Sequence, residues 1–294
     1  MTERTSFYDQ IARNKRKSVF LMILVFIVLV ALGYAISMAF SPADFYTIMI
    51  LSIIISISYI LISYYNSDKI ALASVNAKPA DRNQYRQYYD SVEGLTLASG
   101  TPMPKLYIME NEQINAFASG RDYQHAVVCV TTGALKRLNK QELEGVLAHE
   151  LGHIANYDIR FITLIAVMVG MISIISQMFL RSMWFRGNDR EGKGNAIFIL
   201  IGIALAILAP IVVQLVQLAI SRKREFSADA TAVQFTRYPP GLMNALKKIK
   251  NDKPMQVNKA VAPLFMSDPF RRKISNWLST HPPIDMRIKI LEQM

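Results

Sequence analysis

The chain is almost free of cysteine: Cys129 is the only one among 294 residues, so no intrachain disulfide can form. This scarcity is consistent with a reducing compartment. Cys129 lies in the apolar run 126–130, which predicts a buried strand, and a reactive thiol is not expected in such a setting. The sequence also lacks internal repeats and linkers rich in Pro or Ser.

Charged residues are scarce as well, at 19% against 52% hydrophobic residues. This balance is too apolar for an ordinary soluble enzyme and fits a membrane protein with a soluble part. Acidic residues are fewer than basic ones, 22 Asp and Glu against 33 Lys and Arg, which leaves a net charge of +11. The basic residues flank apolar segments and crowd the C-terminal tail, where anionic lipid headgroups explain them. No basic stripe interleaved with aromatic residues is present, so nucleic acid is not an expected partner.

Four stretches have no charged residue and are long enough to cross a bilayer. They are Ser18 to Phe40, Phe45 to Tyr65, Phe161 to Leu180 and Asn195 to Ser221. The first two are apolar on all sides, and the first is too long for a cleaved signal peptide. Gln177, Gln214, Gln217 and Pro210 leave open that the last two stretches lie partly against protein.

Basic residues predict the orientation in the membrane. Five Lys or Arg precede the first stretch and none lies between the first and the second, which predicts a cytoplasmic N terminus. Residues 66–160 and 222–294 then face the cytoplasm. The loop at 181–194 disagrees, because its four basic residues are an unusual load for an external loop. Either the membrane tolerates it there, or the last two stretches form a shallower hairpin.

The most informative motif is the pentapeptide HELGH at 149–153. On a helix, His149 and His153 lie one turn apart on the same face and can bind one metal ion, while Glu150 points about 100° away. Asn139 and Glu142 predict a capping box that starts this helix. The arrangement is typical of a catalytic zinc site and predicts hydrolysis.

A catalytic zinc ion takes three protein ligands and leaves one position to water. The metzincin pattern is excluded, because it requires Gly at 156 and His at 159, where the chain has Asn156 and Ile159. Glu225, on a separate predicted helix, is the expected third ligand. Asp229 follows one turn later, placed to accept a proton from a ligand imidazole. Glu150 is predicted to take a proton from the attacking water and pass it to the departing amine.

Four motifs occur in the order NAFASG (115–120), HELGHIANYDIR (149–160), SRKREFSAD (221–229) and STHPPIDMRI (279–288). Together they resemble the HtpX family of membrane zinc metalloproteases, relatives of the CAAX prenyl proteases. The resemblance spans nearly the whole chain and implies four membrane crossings and one zinc ion. It implies His149, His153 and Glu225 as metal ligands and Glu150 as the catalytic residue, in agreement with the coordination chemistry. It also implies substrates among damaged or misassembled membrane proteins, with self-cleavage in the presence of metal.

The predicted fold is mostly α with a small β-sheet, consisting of a four-span helical membrane anchor and a gluzincin-like zinc metalloprotease domain. Residues 1–65 form the N-terminal tail and the first two transmembrane helices, and 161–221 the third and fourth. The protease domain is divided between 66–160, with the HELGH helix, and 222–294, with the third ligand. The expected partners are polypeptide substrates, chiefly membrane proteins, and the lipid bilayer. The sequence does not predict the oligomeric state.

Strands predicted at 105–109 and 126–131 bracket the NAFASG segment. In the resembling family such segments belong to a sheet edge that holds extended substrate, which makes Asn115 and Ala116 candidate substrate-binding residues. A simple turn explains the Asn and Gly of this segment equally well. His281 is a candidate transition-state stabiliser that donates to the developing oxyanion, or a structural loop histidine. Asp285 is the predicted N-cap of the terminal helix.

Two other functions stay open at this point. An intramembrane zinc protease would carry its HExxH motif within a hydrophobic span, whereas polar residues surround the motif in this chain. A non-catalytic membrane assembly factor would need a closed metal site, with a fourth ligand such as Cys129 or His281.

Overall fold

The computed structural model describes residues 7–38, 42–168, 222–255, 257, 262–267, 269 and 282–294. Its helices are α1 (Phe7–Met38), α2 (Pro42–Tyr65), α3 (Ser67–Ser74), α4 (Arg86–Ser99), α5 (Thr132–Arg137), α6 (Lys140–Ala155), α7 (Arg222–Thr236), α8 (Pro239–Lys250) and α9 (Ile284–Leu291). Residues 158–168 are also helical. Its strands are β1 (Lys78–Pro79), β2 (Lys105–Met109), β3 (Ala116–Gly120) and β4 (Ala126–Thr131). The chain is therefore mostly helical with a small sheet, as predicted.

The two N-terminal helices pack against each other and expose many apolar side chains. Within the described residues one helix, Phe45–Tyr65, is long and apolar enough to cross a membrane. The first predicted stretch is helical as far as Met38. The third is helical over its described part, 161–168. The fourth lies outside the described residues.

The sheet has the strand order β1-β2-β4-β3, with β2 and β4 parallel and the other pairs antiparallel. The central strand β4 is buried along its whole length, which explains its run of Val residues and Cys129. Both predicted strands are confirmed. The NAFASG segment provides a further strand, β3, which pairs with β4 and lies at one end of the sheet. Its residues therefore form an edge strand and not only a turn.

Helix α6 begins with the predicted capping box. The Asn139 side chain accepts the Glu142 N–H at 2.9 Å, and the Glu142 carboxylate accepts the Asn139 N–H at 2.8 Å. From Gly145 to Ala155 every residue of this helix is buried. The helix packs against β3, α4, α7 and α8, so protein surrounds the HELGH motif on all sides.

Two glycines allow neighbouring helices to approach α6 closely. A Cβ at Gly145 would lie 2.4 Å from the backbone nitrogen of Leu242 in α8, a distance that no real structure tolerates. A Cβ at Gly152 would lie 3.3 Å from Ala228 O in α7, a tight but less severe contact. Both residues weaken helix propensity. These glycines allow α7 and α8 to pack closely on α6.

The helical segment 158–168 joins the end of α6 to the N-terminal helices. Phe161, Leu164 and Ile165 pack in one cluster with Leu21 and Val25 of α1. This contact brings the end of the HELGH helix next to the predicted membrane anchor.

Candidate metal centre

The two histidines of the motif face each other across one turn of α6. Their Nε2 atoms lie 3.2 Å apart, and the rings meet edge to face with centroids 4.8 Å apart. Both side chains are buried. The Nε2 atoms are therefore the pair of nitrogens that one metal ion can reach from this helix.

Glu225 of α7 brings a carboxylate to the same point. Its two oxygens lie 3.7 Å from His149 Nε2 and 3.6 Å from His153 Nε2. One potential ligand atom from each of the three residues lies within 4.8 Å of the others, and they form the only such group found among the described residues. The structure thus unites residues that are more than seventy positions apart in sequence.

A buried ion pair supports His149. Asp229, one turn after Glu225, accepts a hydrogen bond from His149 Nδ1 at 2.9 Å. The guanidinium of Arg287, from α9, binds both oxygens of the same carboxylate at 2.6 and 2.8 Å. Arg287 also lies 3.3 Å from His149 Nδ1, but the shorter contact identifies Asp229 as the partner of this nitrogen. A proton fixed on Nδ1 leaves the Nε2 lone pair for a metal ion.

His153 has a carboxylate partner of its own. Asp158, at the start of the 158–168 helix, places Oδ2 3.3 Å from His153 Nδ1. Each candidate ligand imidazole is therefore oriented by a buried aspartate, one from α7 and one from the segment after α6. Sequence reasoning singled out Asp229 and missed Asp158. The spacing of five residues from His153 spans a helix end, so helical periodicity does not reveal this contact.

The two imidazoles differ in basicity. Burial and the positive charge of Arg287 lower the pKa of His149 to about 4, despite the hydrogen bond to Asp229. Burial also opposes the charged form of His153, but the hydrogen bond to Asp158 and the nearby Glu225 carboxylate raise the pKa of His153 to about 9. A proton at this site therefore belongs to His153, and a metal ion must displace it.

Glu150 lies beside the three candidate ligands without joining them. The side chain is only 1% exposed, and burial raises its pKa to about 7, against the attraction of His153. The backbone N–H of Ala118 in β3 lies near its carboxylate and favours the charged form. Within the described residues no donor reaches Glu150 Oε1, which leaves this buried oxygen able to hold a proton or a water molecule.

The charges around the three ligands fit a divalent cation. Four buried carboxylates, those of Glu150, Asp158, Glu225 and Asp229, lie close to the guanidinium groups of Arg224 and Arg287. When all are ionised and His153 has lost its proton, two negative charges remain in excess. Two imidazole nitrogens and one carboxylate are the ligand set of many catalytic zinc sites. The donor set and the charge excess both agree with one zinc ion.

The candidate substrate-binding residues lie at the outer edge of β3, and both are buried. The segment 265–267 runs along this edge. Met266 N–H donates to the Ala116 carbonyl at 2.9 Å, and the Asn115 amide lies 3.3 Å from Ser267 O. The outward-facing hydrogen-bonding groups at this part of β3 thus already have partners from the chain itself.

The C-terminal motif contributes in a way the sequence reasoning missed. His281 lies outside the described residues. The prediction that Asp285 is the N-cap of the terminal helix is wrong: the N-cap is Pro283, and Asp285 lies in the first turn as an ion-pair partner of Lys250.

Arg287, in the same helix, is fully buried and binds Asp229. No sequence pattern marks this contact, because the burial of Arg287 and its closeness to Asp229 become visible only in the structure.

Comparisons with known proteins agree with this site. The model of peptidase family M48 matches residues 80–294. A protease HtpX homologue of Caldanaerobacter subterraneus is 44% identical over 100% of this chain and 99% of its own length. Homologues of the same name from Thermoanaerobacter pseudethanolicus and Lactobacillus helveticus are 43% and 40% identical, covering 99% and 98% of this chain and 99% of their own lengths.

One solved structure, that of S. mikatae Ste24p, matches 95% of this chain at 19% identity, with a TM-score of 0.47. The matched chain is longer, and this one spans 65% of it. The family assignment rests on the HtpX homologues, whose sequences match this chain over nearly its full length. These matches confirm the resemblance seen in the four motifs. The chain belongs to peptidase family M48, the zinc-dependent metalloproteases that include the HtpX homologues.

Proposed function

We propose that this chain is a membrane-anchored zinc endopeptidase that hydrolyses polypeptides on the cytoplasmic side of the membrane. The observation that carries the proposal is the buried group of His149, His153 and Glu225, with Glu150 next to it. A peptidase of family M48 needs a metal-binding set and a proton-transferring carboxylate, and these four residues supply both.

The chemistry divides between the metal ion and the chain. When bound, zinc polarises the scissile carbonyl and lowers the pKa of a water molecule to about 7. Glu150 takes a proton from the attacking water and delivers it to the departing amine nitrogen. In the metal-free site burial raises the pKa of this carboxyl group to about 7. We retain His281 as a candidate donor to the developing oxyanion.

The edge of β3 is the proposed site for an extended substrate. A peptide that adds as a strand is held by backbone hydrogen bonds, so many sequences are accepted. The Ala118 N–H lies near the Glu150 carboxylate, so a peptide on this edge would lie beside the catalytic group. The substrate must compete with Met266 for the Ala116 carbonyl. Asn115 and Ala116 are its proposed contacts.

The placement in the membrane follows from the charge pattern of the sequence. In this proposal the chain crosses four times, with the N terminus and the two parts of the protease domain, 66–160 and 222–294, in the cytoplasm. One buried cluster contains residues of both parts, among them Leu147 and Leu246, which supports a single domain built from two segments. The substrates proposed are damaged or misassembled membrane proteins, consistent with a site close to the bilayer.

The two rival functions gain little support. Protein packs around α6 on all sides, which favours a site outside the lipid over an intramembrane protease. A closed structural site would need a fourth protein ligand. Among the described residues the metal-binding group has three members, and Cys129 is not one of them.

One substitution tests the proposal. The full-length protein, purified in detergent and stripped of metal, receives zinc and an unfolded model substrate. The parent should cleave the substrate, while Glu150→Gln should bind one zinc ion per chain and cleave nothing. Full activity of Glu150→Gln would exclude it as the proton-transferring group. A parent that binds zinc tightly but never cleaves would favour the assembly factor.

The orientation has a separate test. Because Cys129 is buried and is the only native cysteine, a single cysteine introduced at the exposed position Lys136 reports the side of the protease domain. A membrane-impermeant thiol reagent should label Lys136→Cys in inside-out vesicles and not in right-side-out vesicles. The reverse pattern would place the active site outside the cell.

A further inference from the structure

The N-terminal helix α1 reaches the metal centre through the side chain of Asn14. This residue lies one turn before Ser18, where the first predicted membrane stretch begins, and only 6% of it is exposed. Its amide nitrogen donates to Asp158 Oδ1 at 2.7 Å and to the carbonyl of Asn156 at 3.0 Å. An amide group has two N–H donors, so both are used in these contacts.

The contacts of Asn14 converge on the turn at the end of α6. Asn156 caps that helix, and Tyr157 follows with φ of 56°, a left-handed conformation that side-chain-bearing residues rarely adopt. Such strain persists only where surrounding contacts hold it. Asn14 binds the carbonyl before Tyr157, and the Lys15 ammonium lies 4.6 Å from the centre of the Tyr157 ring. Helix α1 therefore holds this turn at two points.

The turn determines the position of Asp158. One oxygen of its carboxylate faces His153 Nδ1 at 3.3 Å and the other accepts the Asn14 amide at 2.7 Å. Because both oxygens have a hydrogen-bond partner, the carboxylate has a defined orientation. The arrangement parallels the other ligand, since Arg287 holds Asp229 against His149 in the same way.

We infer that Asn14 is a positioning residue of the metal centre, which orients the His153 imidazole through Asp158. The inference rests on the proposed function insofar as His153 is a zinc ligand. The predicted membrane anchor is then part of the metal site and does more than attach the protease to the bilayer. Substitution of a residue that orients a ligand imidazole through hydrogen bonds commonly weakens metal binding by about 10- to 100-fold.

The test is a double-substitution cycle on full-length protein in detergent. Asn14→Leu removes both donors at similar volume, and Asp158→Asn removes the charge that faces His153. Both are made singly and together in a Glu150→Gln background, which prevents self-cleavage. Zinc affinity is measured by competition with a chelator, and cobalt absorption reports the ligand geometry. Arg16→Ala, at an exposed position of the same helix, is the matched control.

The expected result is about tenfold weaker zinc binding for Asn14→Leu, a changed cobalt spectrum, and a double variant no weaker than Asp158→Asn alone. The inference would be overturned if Asn14→Leu bound zinc as tightly as the parent. It would also be overturned if the fold-losses of zinc affinity in Asn14→Leu and Asp158→Asn multiplied in the double variant. If Asn14→Leu does not fold, Asn14→Ala is judged by the same two criteria.

The outcome is independent of whether the chain is a protease. Zinc affinity requires no substrate, so a parent that binds zinc and cleaves nothing refutes the endopeptidase while the cycle still decides the role of Asn14. In a catalytically competent background, Asn14→Leu at saturating zinc should lower kcat and leave KM unchanged, because the substrate edge at β3 is not altered.

Discussion

The buried pair of Arg287 and Asp229 yields a quantitative prediction about stability. In Arg287→Met the Asp229 carboxylate keeps the hydrogen bond from His149 but loses both bonds from the guanidinium. Removing one partner of a buried ion pair costs about 3–5 kcal/mol, since the remaining charge is desolvated without compensation. For a protein of this size each kcal/mol lowers Tm by roughly 2–4 °C, so Arg287→Met should melt roughly 6–20 °C below the parent.

The double variant Asp229→Asn with Arg287→Met removes both charges and should recover most of this loss, because neither charge is then left alone. Zinc affinity should be lower in the double variant than in the parent, since a neutral amide is a weaker acceptor for His149 Nδ1. Melting is followed by circular dichroism on metal-free protein in one detergent, because bound zinc adds its own stabilisation. Lys289→Met, exposed on the same helix, is the control. The reasoning would be refuted if Arg287→Met had the same Tm as Lys289→Met. It would also be refuted if the loss of stability in the double variant equalled the sum of the losses in Asp229→Asn and Arg287→Met.

Three further predictions concern the metal ion, the core and the substrate. Zinc affinity should rise about tenfold per pH unit from about pH 6 to pH 9 and then level off. The reason is that zinc displaces one proton from His153, whose pKa is about 9. Zinc affinity is measured by chelator competition, and an affinity that does not change with pH would contradict this prediction. Gly145→Ala should destabilise by about 1–3 kcal/mol because its Cβ meets the backbone of α8. Its control Gly94→Ala, in open space on α4, should stabilise slightly in the same melting assay. Asn115→Ala should raise KM with unchanged zinc content; a lower KM would mean that Asn115 instead holds the 265–267 segment on the substrate edge.

The local parts of the site could be predicted from the sequence. The capping box at Asn139 and the spacing of His149 and His153 are properties of one helix, and periodicity with a short motif is enough to find them. Glu225 required one more step, the coordination number of catalytic zinc, to select a carboxylate elsewhere in the chain. Its position in the structure agrees with that selection. The sequence alone does not distinguish a strand from a turn at 116–120, because Asn and Gly are typical of turns and only the pairing with β4 identifies the strand.

The contacts of Arg287, Asp158 and Asn14 could not be predicted in the same way. Each joins segments that are distant in sequence or separated by a helix end, so no periodicity connects them. The error at Asp285 has the same origin: acidic residues are common both at an N-cap and in the first helical turn, and the backbone geometry of Pro283 decides between them. The partners of buried charged residues are the contacts that are hardest to identify without a structure.

The metal centre depends on segments from the whole length of the chain. Helix α6 provides two imidazoles, α7 provides Glu225 and Asp229, α9 provides Arg287, and α1 provides Asn14. Since an ion bound by a preformed site stabilises the fold that forms the site, zinc binding and tertiary assembly are coupled. A chain whose C-terminal helix has not yet packed lacks the Arg287 partner of Asp229, and one whose N-terminal helix is displaced lacks the Asn14 partner of Asp158. High zinc affinity, and with it proteolysis, is therefore expected only once α1 and the C-terminal helix are both in place.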